Sequence, residues 1–146
     1  MTTLVANHGA ALEHIEGAML KMPQVECAVI NRFGPGIYIR ELHIPAGTTL
    51  IGHAHKTPHS FMGLSGRLQM FNDDGSSYEI VAPAFLVADT GRKVAFAPED
   101  TIVQNIHATD ETDIQKLEEL LIEKSQTFLD HSKGERYVMD GSSSSR

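Results

Sequence analysis

The chain has 146 residues, of which 41% are hydrophobic and 21% are charged, so we expect one globular domain that folds without crosslinks. Its net charge of −7 argues against a nucleic-acid-binding surface, because such a surface needs a basic patch. A single cysteine, Cys27, excludes an internal disulfide, and no apolar run is long enough for a membrane span. The N-terminus lacks a signal-peptide pattern, so we expect a cytoplasmic protein whose partners include neither nucleic acid nor membrane.

A short helix is the first predicted element, over residues 6–22. Apolar residues recur there at three- and four-residue spacing, namely Leu12, Ile15, Met19 and Met22. Pro23 ends this pattern because proline cannot continue a helix. We therefore assign residues 1–23 to an N-terminal helical segment.

Strands are predicted along the middle of the chain, where runs rich in Val, Ile, Tyr and Phe alternate with turns of Gly, Pro, Asn and Asp. The predicted strands cover residues 26–32, 37–44, 49–55, 59–64, 67–72, 77–81, 85–89, 92–97 and 101–108. Many short strands at this spacing are typical of an antiparallel sandwich or barrel. The predicted fold class is all-β, with the β-domain over residues 24–109.

A second helix is predicted over residues 110–131. Thr112 and Gln115 match a capping box at its start. An apolar stripe follows, made of Ile114, Leu117, Leu121 and Phe128. We expect this helix to pack on the β-domain or on a second subunit, and residues 132–146, which end in a serine-rich run, to form a flexible tail.

Three histidines lie within seven residues: His53, His55 and His59. In a strand, His53 and His55 share one face, and a turn at Pro58 would bring His59 back beside them. Imidazole is a common ligand of zinc, copper, iron and nickel, so this cluster predicts a metal site. The alternative is that these side chains are polar groups inside a barrel that hydrogen-bond to each other and to water.

Residues 47–66, with this histidine spacing, resemble the first signature motif of the cupin superfamily, in which a glutamate usually stands where His59 stands here. Residues 83–94 align with the second motif by spacing. In that motif a glycine usually stands at the position of Pro83, a proline at that of Asp89, and a fourth ligand histidine at that of Val94. The resemblance implies a single cupin-type antiparallel β-barrel, or jelly roll, with a metal bound by His53, His55 and His59.

Residues 24–122 also resemble small cupin-like proteins encoded by tailed bacteriophages. The resemblance is carried by His55, His59 and segments 36–41, 45–48, 82–83, 91–93, 99–100, 107–109 and 111–113. That group centres on His55, His59 and His107, so the resemblance adds His107 to the predicted metal ligands. It also implies phage virion proteins as partners, and the host cytoplasm or the virion as the location.

Simple alternation gives a different prediction for His107. If residues 92–97 and 101–108 form a hairpin, Val94 lies opposite Gln104. Gln104 would then occupy the place of the missing ligand and contact a ligand or water. His107 would point to the other face of the hairpin unless a bulge intervenes.

The predicted cofactor is one divalent transition metal ion, because neutral nitrogen ligands favour Fe(II), Zn(II), Ni(II) or Cu(II) over Mg(II) or Ca(II). A three-histidine site leaves coordination positions open for substrate. We expect Tyr38, Arg40 and Gln69 to project into the barrel, with Arg40 binding a carboxylate through two hydrogen bonds. An ion pair on the outer face is the alternative for Arg40.

Similarity to mononuclear cupins implies an oxygenase, isomerase or lyase acting on a small polar molecule. The sequence itself indicates no catalytic acid or base. The rival hypothesis is a non-catalytic phage cupin, either a virion component or a factor that binds a ligand or a host protein. Since cupins commonly dimerise, we also expect a homodimer.

Overall fold

The structure is a computed structural model that describes residue 12 and residues 14–72 and 74–134, without the side chains of residues 132–134. Its strands are β1 (Ala28–Gly34), β2 (Ile37–Ile44), β3 (Thr48–Ile51), β4 (Ala54–His55), β5 (His59–Ser65), β6 (Arg67–Asn72), β7 (Ser77–Val81), β8 (Ala84–Ala88), β9 (Lys93–Ala97), β10 (Thr101–Ala108) and β11 (Ile122–Glu123). Its helices are α1 (residues 14–20), α2 (Ile114–Leu121) and α3 (Gln126–Gly134).

Two antiparallel sheets form the body of the molecule. One has the order β1-β2-β10-β5-β8 and the other the order β3-β9-β6-β7, while β4 pairs with β11 in a small third sheet. The sheets share one hydrophobic core, to which the first contributes Ile44, Phe61 and Val103 and the second contributes Leu68 and Met70. The predicted all-β, antiparallel fold class is confirmed.

Local sequence explains two of the strand boundaries. Gly47 and Gly66 adopt φ values of 83° and 79°, which side-chain-bearing residues rarely adopt, and each lies at the turn before a strand. Within β6 the alternation is strict, since Leu68 and Met70 are buried while Gln69 is exposed.

The predicted hairpin between residues 92–97 and 101–108 is wrong. β9 pairs with β3 and β6, whereas β10 pairs with β2 and β5 in the other sheet. The chain therefore crosses between sheets at residues 98–100. This crossing cannot be read from local periodicity, because two strands and a short turn look the same in either arrangement.

The two terminal helical segments differ in how closely they match the prediction. Residue 12 and residues 14–20 are helical as predicted, while residues 6–11 and 13 lie outside the described part, as do residues 135–146 of the predicted tail. The predicted C-terminal helix is instead two helices, because β11 interrupts it to pair with β4. Asp113, not Thr112, caps α2 by accepting hydrogen bonds from the amides of Gln115 and Lys116.

Across residues 12, 14–72 and 74–134, no helix has both the length and the apolar character that crossing a bilayer requires.

Candidate metal centre

Three histidines from three strands meet at one place. One ring nitrogen from each of His55, His59 and His107 lies within 4.8 Å of the others. The ring centroids are 4.2 Å apart for His55 and His59, 4.7 Å for His59 and His107, and 6.0 Å for His55 and His107. His59 and His107 are buried and His55 is half-buried.

Strand pairing explains why the three rings converge. β5 and β10 are antiparallel neighbours with Ser60 opposite Ile106, so the next pair in the same register is His59 with His107. His55 comes from β4, which is held by its pairing with β11, where it lies opposite Ile122. The site therefore depends on the segment after α2 as well as on the large sheet.

The geometry can be compared with that of a real metal site. Nitrogens that bind one tetrahedral zinc ion are about 3.4 Å apart. Side-chain shifts of roughly 1–1.5 Å would therefore bring three nitrogens that lie within 4.8 Å onto one ion.

The protonation state of the histidines suits metal binding. Burial, assisted by the charge of His59, lowers the pKa of His55 to about 3 and the pKa of His107 to about 4. Burial also lowers the pKa of His59, although hydrogen bonding to Asn105 and to the backbone of Thr57 acts in the opposite direction. At neutral pH the three rings are therefore uncharged and carry lone pairs, which metal coordination requires.

One buried ring nitrogen of this cluster, Nδ1 of His55, makes no hydrogen bond to any described residue. His59 Nε2 lies 2.7 Å from Asn105 Oδ1, so with this amide orientation Nε2–H donates and the lone pair remains on Nδ1. Buried polar atoms without partners are rare, and a bound metal would explain this one. The donor set thus fits a transition metal ion.

Tyr38 and Arg40, both in β2, line the same cavity as the three histidines. The Tyr38 hydroxyl donates a 2.6 Å hydrogen bond to Asn31 Oδ1, and its ring stacks 6.0 Å from that of His107. Arg40 lies opposite Asn105 in the pairing of β2 with β10, one position of the same face away from the pair of Tyr38 with His107.

His53 does not join this group. It lies between β3 and β4, and its ring packs edge-on against Phe128 of α3 at a centroid distance of 4.7 Å. The prediction that His53 and His55 share a face assumed one continuous strand over residues 49–55. The strand is broken at Gly52 and His53, so regular alternation does not extend from one histidine to the other.

Gln69 and Gln104 also lie elsewhere than predicted. Gln69 is exposed on β6, and neither glutamine lines the cavity. Gln104 Nε2 donates a 2.8 Å hydrogen bond to Glu41, which also contacts Arg32 and His43. This network holds the pKa of Glu41 down at about 2, through its hydrogen bond to His43 first, then those from Arg32 and Gln104.

The predicted hairpin assigns the wrong face of β10 to the interior. Val103, Asn105 and His107 line the cavity, and Gln104 does not. On β9, Lys93 and Ala95 line the cavity, whereas Val94, expected to mark the missing ligand, is not among the lining residues. Alternation from His107 back to Asn105 was the sequence signal that would have found this orienting amide.

A buried ion pair closes the side of the cavity near α1. The Glu16 carboxylate accepts hydrogen bonds of 2.8 and 3.1 Å from the two terminal nitrogens of Arg92, and a third from the Ser125 hydroxyl. Arg92 also donates to the Gly52 carbonyl at 3.0 Å. Burial raises the pKa of Glu16, but Arg92, Ser125 and the charge of His53 more than offset this and hold it below its ordinary value.

Comparison with known proteins identifies the fold. No family model and no curated protein matches the chain. Among solved structures, ectoine synthase from P. lautus matches with a TM-score of 0.55 at 13% identity, covering 71% of this chain and 79% of that one. An uncharacterised double-stranded β-helix protein from Klebsiella pneumoniae matches with a TM-score of 0.51 at 16% identity, covering 66% and 90%. An RmlC-like cupin from Desulfovibrio desulfuricans matches with 0.50 at 19%, covering 61% and 91%.

At these identities the likenesses show the fold alone. The chain has the double-stranded β-helix fold of the cupin superfamily, with three histidines close enough together to bind a metal.

Proposed function

We propose that the protein is a mononuclear metal-binding cupin in which His55, His59 and His107 hold one divalent transition metal ion. The observation that carries this proposal is the convergence of three uncharged imidazoles on the wall of a cavity. Nitrogen ligands of this kind suit Fe(II), Zn(II), Ni(II) or Cu(II). His53 is outside the proposed ligand set because its ring packs against Phe128.

The neighbouring side chains would position the site and its ligand. Asn105 fixes the ring orientation of His59 through its hydrogen bond, as partners of metal ligands commonly do. Arg40 and Tyr38 would bind the polar group of a small molecule that enters the cavity. When bound, the metal would supply Lewis-acid chemistry or oxygen activation, which suits an oxygenase, isomerase or lyase.

Metal titration of protein made without a histidine tag tests the proposal. After chelation and dialysis, we expect calorimetry to show about one zinc ion bound per chain. Replacing His59 or His107 with alanine should abolish this binding, whereas His14→Ala, at an exposed position in α1, should leave it unchanged. His53→Ala should also retain the ion. Unchanged stoichiometry in the His59 and His107 variants, with native circular dichroism, would contradict the proposal.

The non-catalytic phage role would use the same fold without turnover, and it rests on the bacteriophage resemblance. Metal-free protein that co-purifies with virus particles would favour this role over the metal site. The expected homodimer has support in the exposed apolar side chains of β8, since Phe85 and Val87 are each 63% exposed. Light scattering of the purified protein measures its oligomeric state directly.

A further inference from the structure

The cavity beside the three histidines is far larger than a metal site needs. Its volume is about 590 Å³, within the range of pockets that hold organic ligands. It runs from the histidine cluster into the space between the two sheets, where core residues such as Phe61 and Met70 line it. The site therefore offers a ligand an extended interior space.

The inner part of this cavity is apolar. Leu42, Leu50 and Leu86 line it and are only partly buried, although they pack against the core. Their remaining exposed surface is of the kind that a hydrocarbon group would cover, because removing apolar surface from water is favourable. This part of the cavity would select an apolar body.

The end beside the histidines carries positive charge. Arg40 lies opposite Asn105 in the pairing of β2 with β10, and Asn105 is the hydrogen-bond partner of His59. Both Arg40 and Lys93 line the cavity, and the Lys93 ammonium donates to the carbonyls of Asp89 and Gly91 at 3.4 and 3.3 Å. A metal ion held by neutral ligands would add further positive charge there.

The acidic residues that line the cavity are either ion-paired or exposed. Glu16 is bound to Arg92, and Glu118 forms a 3.0 Å ion pair with Lys124. Asp89 is exposed to solvent, where its charge is screened. With Arg40 and Lys93 on its wall, the end of the cavity beside the histidines is suited to a negatively charged group.

We infer that the ligand is an amphiphilic organic monoanion, with a carboxylate beside Arg40, Lys93 and the histidines and an apolar body between the sheets. The inference rests on the proposed function in placing the carboxylate at the metal site, but the apolar wall and the two cations are present without a metal. A small, fully polar substrate would leave the leucine-lined part of the cavity unfilled.

A series of straight-chain carboxylates tests this inference by calorimetry on chelator-treated and zinc-loaded protein. From hexanoate to octanoate, affinity should rise about fourfold for each added methylene. Octanoate should bind more tightly than octanol or octylamine at equal chain length. Arg40→Gln should weaken octanoate binding by about tenfold or more, because a charge-assisted hydrogen bond is lost. Octanol binding should be unaffected in this variant.

Two further variants keep the result interpretable. Arg67→Gln, on the outer face of β6 in an ion pair with Glu79, is the matched control and should bind octanoate as the original protein does. Arg40→Lys, which keeps the charge, should show an intermediate loss. Equal affinity for octanoate, octanol and octylamine, or no dependence on chain length, would overturn the inference.

The zinc content of the same samples separates the two proposals. Selective octanoate binding by protein that takes up no zinc would overturn the metal site and retain the ligand class. Binding of one zinc per chain without selectivity for octanoate would overturn the ligand class and retain the metal site.

Discussion

Replacing Arg92 with methionine tests whether the buried ion pair anchors α1 to the β-domain. Methionine keeps the apolar length of the side chain but removes both hydrogen bonds to Glu16. Among the described residues, the Ser125 hydroxyl would then remain as a hydrogen-bond donor to the Glu16 carboxylate. Because a carboxylate removed from water needs compensating charge, the folded state should lose stability.

The size of the expected stability loss follows from how deeply the two side chains are buried. Glu16 is 2% exposed and the Arg92 side chain 14%, so this pair belongs with buried ion pairs, whose disruption costs about 3–5 kcal/mol. Because a shift of the short helix α1 would let water reach the pair, we expect a loss at the lower end of this range, about 3 kcal/mol. For a chain of this size the melting temperature should fall by roughly 10 °C.

Urea unfolding at pH 7, followed by circular dichroism, measures the free energy of unfolding. The double variant Glu16→Met/Arg92→Met should recover much of the loss, since replacing both charges with apolar groups leaves no unpaired ion. The coupling energy between the two substitutions comes from the double-mutant cycle. A loss below about 0.5 kcal/mol in Arg92→Met, the range of ordinary surface changes, would refute the reasoning. Additive effects of the two substitutions would also refute it, because they would show that Glu16 and Arg92 are not energetically coupled.

Three further predictions concern separate parts of the molecule. Asn105→Leu should weaken zinc affinity by about 10–100-fold, measured by competition with a chelator, because His59 loses its orienting partner. Gly66→Ala should destabilise the fold by about 2 kcal/mol or more in urea unfolding, since φ is +79° and a Cβ would collide with the backbone next to β10. The pKa of Glu41 is lowered to about 2 in the folded protein. The ionised Glu41 carboxylate therefore stabilises the folded state above its ordinary pKa of 4.5, and this stabilisation is lost as pH falls towards 2. The stability difference between the original protein and Glu41→Gln should therefore shrink over this pH interval.

Each of these has an outcome that contradicts it. Zinc affinity unchanged in Asn105→Leu would mean that the hydrogen bond does not orient His59. Gly34→Ala is the control for Gly66→Ala, because nothing lies within 4 Å of the added Cβ at Gly34 and its φ is not positive. Equal losses of stability in the two variants would contradict the steric argument. A stability difference for Glu41→Gln that is constant from pH 5 to about 2 would contradict the linkage.

Much of the fold was predictable because its signals are local. Strand boundaries at residues 37–44, 67–72, 77–81 and 101–108 match the predicted ones, since alternation and turn residues act over a few positions. The approach of His55 and His59 was likewise predictable, because only three residues, including Pro58, separate them. The continuous C-terminal helix was mispredicted because β11 forms only through its pairing with β4.

By itself, the sequence determined an all-β chain carrying a cluster of imidazoles near residues 53–59. Only the tertiary structure decided which histidines meet, by pairing β10 with β5 and so bringing His107 to His59 from 48 positions along the chain. The same pairing turned Asn105 inward and Gln104 outward. The physical reason is that a strand's alternation defines two faces but does not say which is inner, and that choice depends on partners distant in sequence.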